Sequence, residues 1–258
     1  MMRRIALLAF ATAALIATGF AATAARAAEG EPALEHQHWS FDGLFGTFDQ
    51  AAAQRGFQVY KDVCSACHSL SLVAYRNLSA IGLSEDEIKA VAAQYNVTDG
   101  PNDAGDMFER PARPSDKFVA PFANPNAARA ANNGALPPDL SLIVKARKGG
   151  ADYVYGILTG FGEPPAGVTV ADGMYYNAVF PGHQIAMPPP LSDGAVTYAD
   201  GTEASVHQMA HDVTTFLAWA AEPELDARKR MGVKVILFLI VLTGFAYAVK
   251  RKVWAEVH

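Results

Sequence analysis

The sequence predicts a mainly α-helical protein with long loops rich in proline and glycine and a single C-terminal transmembrane helix. Apolar residues recur at helical spacing on both sides of a central segment, residues 96–200. That segment holds thirteen of the fifteen prolines, and such a composition disfavours long regular elements. Near the C-terminus, residues 235–249 carry no charged side chain. Together these observations predict a loop-rich helical head tethered to a membrane.

The N-terminal residues have the pattern of a secretory signal peptide. A short basic head precedes an apolar stretch, and Ala25-Arg26-Ala27 fits a cleavage site between small residues. No stop-transfer pattern follows, which disfavours the alternative of an uncleaved N-terminal anchor. We therefore expect residues 1–27 to be cleaved and residues 28–227 to be exported.

The exported head is expected to begin with an extended arm, residues 28–47, which contains several aromatic and histidine side chains. Helical spacing of small and apolar residues over 49–63 predicts the first helix. Ser84 and Glu87 have the spacing of a capping box, which predicts that a second, short helix begins there.

The central segment is expected to contain only short helices, over 140–147 and 151–159. Disorder is the alternative for so much proline and glycine. Aromatic residues are scattered through the segment, however, and disordered chains contain few of them. A longer helix is expected to open at Asp200-Gly201-Thr202 and to end at Pro223, with one continuous apolar stripe between.

Residues 228–250 are expected to form the membrane anchor. The run from Met231 to Val249 contains Lys234 as its only charge and spans about 28 Å as a helix, close to the thickness of a hydrocarbon core. A buried core helix is the alternative, but the run has no polar stripe.

Basic triplets flank both ends, so loop charge does not set the orientation. The signal peptide sets the orientation instead, because it directs the head out of the cytoplasm. Residues 251–258 are then expected to remain as a cytoplasmic tail.

The charge is unevenly distributed along the chain. Residues 28–227 contain 25 acidic and 11 basic residues, a formal net charge of −14, whereas the whole chain carries −5. An exported head this acidic argues against nucleic acid as a partner and favours a basic one, whose association it would accelerate. The alternative is that the acidic charge only keeps the head soluble and has no role in partner binding.

The only two cysteines form an attachment motif for haem. Cys64-Ser65-Ala66-Cys67-His68 is a C-x-x-C-H sequence, in which two thiols bind the vinyl groups of one porphyrin and the histidine binds the iron. A structural zinc site would need two more ligands at fitting spacing, and a thioredoxin-type redox pair would lie near a βαβ pattern. We therefore expect a cytochrome c-like haem domain with one haem c, held by two thioethers.

The residues alone leave more than one candidate for the sixth iron ligand. A methionine there closes the iron to substrates and raises its reduction potential. Met187 precedes three prolines, Pro188–Pro190, which stiffen the backbone beyond the sulfur, and it is the preferred candidate. His183 is the competing ligand, and a methionine that merely fills a gap in the core is the other alternative.

Four long sequence blocks extend well beyond the attachment motif. They are GFQVYKDVCSACHSL at 56–70, NNGALPPDLSLIVKARKGGADYVYGILTGFGEPPAGV at 132–168, GMYYNAVFPGHQIAMPPPL at 173–191 and VTTFLAWAAEPELDARKRMG at 213–232. Through these blocks the sequence resembles the cytochrome c1 family, the haem subunits of the cytochrome bc1 complex (ubiquinol–cytochrome c reductase). The resemblance covers almost all of the mature chain.

The resemblance implies a particular haem pocket. His68 and Met187 would be the axial ligands, and Arg147 would meet a haem propionate; from the residues alone, a solvated charge is the alternative for Arg147. The other implied pocket residues are Pro137, Pro138, Tyr153, Leu158, Phe180, Ile185 and Pro190. Some bacterial members carry an extra cysteine pair as a loop disulfide. No spare cysteine exists here, so prolines and aromatics must hold the Met187 loop.

The resemblance also implies an electron relay. One electron would pass from the Rieske iron–sulfur protein through the haem to a soluble, basic cytochrome c, beside cytochrome b in the lipid bilayer. The chain would not be an enzyme by itself. It would cross the bacterial inner membrane once, with the haem domain in the periplasm. The alternatives are another membrane-anchored mono-haem cytochrome c that feeds a terminal oxidase, a haem peroxidase and a haem-based sensor.

Overall fold

A computed structural model describes residues 34–256, so the expected signal peptide, residues 1–27, lies outside the described residues. The described part is mainly helical, which confirms the predicted fold class. Its α-helices are α1 (Gln50–Asp62), α2 (Glu85–Ala92), α3 (Pro125–Ala131), α4 (Ile143–Ala146), α5 (Gly150–Thr159), α6 (Val206–Ala221) and α7 (Leu225–Val253). Short 3₁₀ helices cover Cys64–Ala66, Tyr75–Ile81 and Pro181–His183.

Two small antiparallel hairpins interrupt the loops of the central segment. Strand β1 (Asn96–Asp99) pairs with β2 (Phe108–Pro111), and β3 (Tyr175–Tyr176) pairs with β4 (Gln184–Ile185). Neither hairpin was predicted, because strands of four and two residues are too short to show an alternating pattern in the sequence. The prediction that this segment lacks long elements is confirmed, since none of its helices exceeds the ten residues of α5.

The predicted capping box is present. The Ser84 hydroxyl accepts a hydrogen bond from the backbone N–H of Glu87, and the Glu87 carboxylate accepts one from the N–H of Ser84 at 2.8 Å. The start expected for the long helix was wrong. α6 begins at Val206, because Ser205 supplies the capping oxygen for the N–H of Gln208, whereas Asp200 caps only a turn at Thr202.

The core forms where α1 crosses α6. The two helices approach so closely at Gly56 that a Cβ there would lie 2.0 Å from the backbone oxygen of Asp212. Around the crossing, aromatic side chains fill the interior, with Phe216 against both Phe57 and Tyr60. Because Phe216 and Tyr60 are at most 2% exposed, this cluster supplies much of the apolar burial that holds the head together.

A buried ion pair joins the same two helices. The guanidinium of Arg55 donates to both carboxylate oxygens of the fully buried Asp212, at 2.9 and 3.1 Å, and Gln208 donates to it as well. Burial raises the pKa of Asp212, but the hydrogen bonds from its neighbours outweigh burial and hold the pKa below the usual range. Asp212 therefore stays ionised inside the core, and Arg55 compensates its charge.

The last helix, α7, contains the expected anchor, residues 228–250, and extends beyond both of its ends. It is the one helix in the described chain that is long and apolar enough to cross a membrane. None of its residues is buried against the rest of the protein. An apolar helix exposed on all sides is stable in a lipid environment and not in water.

We predict that Gly56→Ala destabilises the head. The added methyl group would overlap the Asp212 carbonyl, so α1 and α6 must separate, and we expect the free energy of unfolding to fall by about 3 kcal/mol or more. Chemical denaturation of the full chain in detergent measures the change. Gly162→Ala is the matched control, because nothing lies within 4 Å of its Cβ position. Equal effects of the two variants would contradict the close crossing.

Candidate haem site

The attachment motif lies on a tight turn directly after α1. The N–H groups of Cys67 and His68 both donate to the Cys64 carbonyl, at 3.1 and 2.9 Å, so the chain curls as a 3₁₀ turn beyond the helix end. Cys64 packs partly against the core, whereas Cys67 is exposed, and both are free thiols. Burial raises the pKa of Cys64 to about 12, which keeps this thiol neutral in the unmodified chain.

His68 is oriented by a proline carbonyl. Its Nδ1 lies 2.8 Å from the backbone oxygen of Pro138. Since a carbonyl only accepts, Nδ1 must carry the proton, and Nε2 keeps its lone pair free for a metal. Burial lowers the pKa of His68, which also favours the neutral imidazole that a metal requires. The structure thus brings together two of the residues predicted for the site.

Asp139, which the sequence analysis missed, fixes the loop that carries Pro138. Its carboxylate accepts hydrogen bonds from the Ser69 hydroxyl at 2.7 Å, the Ser71 N–H at 2.9 Å and the Ser141 N–H at 2.8 Å. The Ser141 hydroxyl in turn accepts from the N–H of Leu72. The residues just after His68 are thereby joined to the residues just after Pro138, which holds the histidine and its acceptor in register.

An apolar cavity of roughly 310 Å³ opens beside this pair. Leu72, Pro138, Leu142 and Arg147 are among its lining residues. Leu72 and Leu142 line the same cavity and are 56% and 45% exposed, so together they present apolar surface that a bound group could cover. Within the described residues the Arg147 guanidinium meets only a backbone carbonyl, that of Ala146. An apolar wall with an unpaired cation at its edge suits a flat apolar group that bears carboxylates, such as haem.

Most of the remaining predicted pocket residues lie on α5 or in and just after the following hairpin, whereas Pro137 directly precedes Pro138. Tyr153 and Leu158 belong to α5, Ile185 to β4, and Met187 follows two residues later. All of them are half-buried, as are Pro137, Phe180 and Pro190, so each keeps surface that a bound group could cover. Met187 takes no part in the contacts that join His68 to Pro138. The hairpin that carries Met187 is connected to α5 instead.

Asn177 fixes the Met187 hairpin to α5. This fully buried amide donates to the Ile157 carbonyl at 2.8 Å and accepts from the N–H groups of Val179 and Phe180 at 3.0 Å. A backbone bond from Ala178 to the Gly160 carbonyl adds to the connection. Two of these four hydrogen bonds, from Asn177 to Ile157 and from Ala178 to Gly160, connect the cysteine-free loop to α5 and its C-cap. The other two close a turn within the loop. The sequence offered little signal for this role, because an asparagine in a loop usually suggests a turn.

His183, the competing sixth ligand, lies in the same hairpin. Its ring stacks on Tyr176 with the centroids 5.9 Å apart, and its Nδ1 is 3.3 Å from the Asn177 carbonyl. His183 is exposed, and its Nε2 bonds to none of the residues that the structure describes. These contacts leave both Met187 and His183 as candidates for the distal side of the iron.

The fold and the site together define a class of protein. A C-x-x-C-H turn, a histidine locked by a carbonyl and an adjacent apolar cavity are the features of a c-type cytochrome. Residues 39–257 match the model of the Cytochrome C1 family, and the chain belongs to this family. The predicted family resemblance is confirmed, and with it an assignment to haem-dependent electron transport.

Individual relatives agree with this assignment. The chain is 52% identical to cytochrome c1 of Rhodospirillum rubrum, over 95% of this chain and 97% of the relative. It is 53% identical to cytochrome b/c1 of Bradyrhizobium diazoefficiens, over 91% of this chain but only 37% of that longer relative. It is also 51% identical to the mitochondrial cytochrome c1 heme protein of Schizosaccharomyces pombe, over 89% of this chain and 74% of the relative.

We predict an acid-sensitive contribution from Asp139. Burial raises its pKa, but hydrogen bonds with Ser141, Ser71 and Ser69 lower it to about 2. The unfolded value is about 3.9, so the stabilisation is present above pH ~4 and is lost as the pH falls towards ~2. Chemical denaturation of wild type and Asp139→Asn across this range should give a stability difference that shrinks with falling pH. A difference independent of pH would contradict this role.

Proposed function

We propose that this chain is the haem-bearing electron-transfer subunit of a cytochrome bc1 complex. The observation that carries the proposal is the attachment turn, in which Pro138 fixes His68 with Nε2 free for iron, in a chain of the cytochrome c1 family. The haem supplies one-electron chemistry between its ferric and ferrous states. The chain by itself makes and breaks no substrate bond and is therefore not an enzyme alone.

The chain's own residues would bind and shield one covalent haem c. Cys64 and Cys67 form the two thioethers, and His68 and Met187 bind the iron. Arg147 pairs with a propionate, for which its forked guanidinium is well suited. The other pocket residues exclude water from the ring and so help set the reduction potential. They are Pro137, Pro138, Tyr153, Leu158, Phe180, Ile185 and Pro190.

The proposed partners follow from charge and from the relatives. The Rieske iron–sulfur protein donates the electron, and a soluble, basic cytochrome c accepts it. The acidic balance of residues 28–227 supports the second step, since opposite charges accelerate encounter. A relative named cytochrome b/c1 supports cytochrome b as the neighbouring subunit. Nucleic acid is not a partner in this proposal.

The proposed location is the bacterial inner membrane. α7 crosses the lipid bilayer once, the haem domain lies on the periplasmic side after cleavage of residues 1–27, and residues 251–258 form the cytoplasmic tail. The length of α7 and the exposure of its apolar run support the membrane crossing, and the signal-peptide pattern supports the orientation. The short linker from α6 to α7 keeps the head close to its membrane partners, which raises their effective concentration.

We predict that Met187→Leu keeps the haem attached but lowers its reduction potential sharply. Loss of the thioether removes the ligand that favours the ferrous state and opens a site for carbon monoxide. Redox titration and carbon monoxide difference spectra of the reduced protein measure both effects. Met107→Leu is the matched control, because Met107 is 60% exposed on the loop before β2. An unchanged potential in Met187→Leu would reject this ligand and direct the same test to His183.

The function itself is tested in membranes from cells that lack this chain. We expect such membranes to lose quinol-dependent reduction of added cytochrome c and to regain it with the wild-type chain but not with Cys67→Ala. The result opposed to the proposal is intact cytochrome c reduction with loss of oxygen uptake. That outcome would indicate the alternative, a membrane-anchored mono-haem cytochrome that feeds a terminal oxidase.

A further inference from the structure

Residues 40–47 form a closed loop on the N-terminal arm, here called the 40–47 loop. The N–H of Thr47 donates to the Ser40 carbonyl at 3.0 Å and closes its base. Gly46 is packed so tightly that a Cβ there would lie 1.9 Å from the backbone oxygen of Asp42, and Gly43 adopts a φ of +67°. The loop therefore has one well-defined backbone path.

The tip of this loop presents two apolar side chains to the outside. Leu44 is 59% exposed, and Phe45, at 78%, is the most exposed large apolar side chain among residues 34–256. The neighbouring aromatic residues are in contact with one another instead, since Phe41 stacks on Trp39 and packs against Phe48. A fixed loop that displays an adjacent leucine and phenylalanine indicates a contact surface.

The base of the 40–47 loop is bonded to the first turns of α7. The Lys229 ammonium donates to the Phe41 carbonyl at 2.6 Å and to the Gly46 carbonyl at 3.0 Å. The N–H of Phe48 donates to the Asp226 carboxylate at 3.3 Å. Lys229 therefore bridges the two ends of the loop and ties them to the helix proposed to cross the membrane.

The position of Lys229 along α7 sets the level of the loop. It lies two residues before Met231, where the long apolar run begins, which is about 3 Å along the helix axis. The headgroup layer on each side of a bilayer is roughly 5–8 Å thick, so the loop base lies at headgroup depth. Arg228 and Arg230 flank Lys229 and are exposed. Arg228 pairs with Glu222, and Arg230 suits an anionic headgroup.

We propose that Leu44 and Phe45 insert into the boundary between headgroups and acyl chains, as a second membrane contact beside α7. The proposal rests on the proposed membrane anchoring. Lipid is favoured over a protein partner because Lys229, which holds the base of the loop, lies two residues before the apolar run of the anchor helix. The N–H of Thr47 satisfies the carbonyl of Ser40, and Lys229 satisfies those of Phe41 and Gly46, which lowers the cost of removing the loop from water. Two contacts fix the tilt of the head, which a single helix leaves free.

The proposal is tested by measuring the depth of a spin label in the full, haem-loaded chain. Phe45→Cys provides a free thiol for the label, because the haem occupies both native cysteines. The chain is reconstituted in vesicles of phosphatidylcholine and phosphatidylglycerol, and the collision rates of the label with oxygen and with a water-soluble nickel chelate are compared. We expect the oxygen-to-nickel ratio at position 45 to exceed that of Met107→Cys, an exposed control on the head.

A label at Phe238→Cys, in the middle of α7, separates failure of this proposal from failure of the anchor. A lipid-like ratio at 238 with an aqueous ratio at 45 would overturn the loop insertion alone. Aqueous ratios at both positions would overturn the membrane anchoring as well. An aqueous ratio at 45 in vesicles that becomes protected only in the assembled complex would show that a protein subunit, and not lipid, covers the loop.

A second variant tests the part played by Lys229. Lys229→Gln shortens the side chain and removes its charge, so the ammonium no longer bridges Phe41 and Gly46. In a chain that also carries the label at position 45, we expect the oxygen-to-nickel ratio to fall and the label to become more mobile. Arg230→Gln is the matched control, because Arg230 is exposed and, within residues 34–256, its side chain bonds only the Asp226 carbonyl. Equal effects of the two variants would overturn the bridging role.

Discussion

The close crossing of α1 and α6 is the constraint on which the other parts of the protein depend. Gly56 lets the two backbones meet, and Arg55 neutralises the buried charge of Asp212 at the same point. The far end of α1 leads directly into the attachment turn at Cys64, while α6 is followed within a few residues by α7. One helix pair therefore links the haem site to the helix proposed to hold the protein in the membrane. A change in how the two helices cross would alter the positions of both.

The proposed haem site draws on two loops that are fixed independently. Asp139 joins the loop of Pro138 to the residues after His68, and Asn177 joins the Met187 hairpin to α5. Each uses a short polar side chain with several hydrogen bonds, a rigid arrangement when every group is satisfied. The Asn177 contacts also explain how the hairpin is held without the disulfide that some bacterial family members have. Prolines and aromatics were expected to do this alone, whereas the structure adds a buried amide.

The N-terminal arm connects parts of the head that are distant in sequence. Asp152 on α5 accepts hydrogen bonds from the N–H of Gln37 and from the Trp39 indole, and Trp39 stacks on His211 of α6 with the centroids 4.8 Å apart. Further along, the 40–47 loop reaches Lys229 on α7. The arm thus contacts three successive helices, so the head and the start of α7 are held together by more than the short α6–α7 linker.

The sequence by itself determined the features that depend on local spacing. These are the attachment motif ending at His68, the capping box at Ser84 and the long apolar run within α7. Only the tertiary structure decided where α6 begins, that two short hairpins exist, and that Asp139 and Asn177 position the site. The physical reason is range: helix periodicity and a C-x-x-C-H motif are set by neighbours along the chain. A hydrogen bond such as that between His68 and Pro138 joins residues seventy positions apart. A local sequence pattern does not predict which of the distant groups will come into contact.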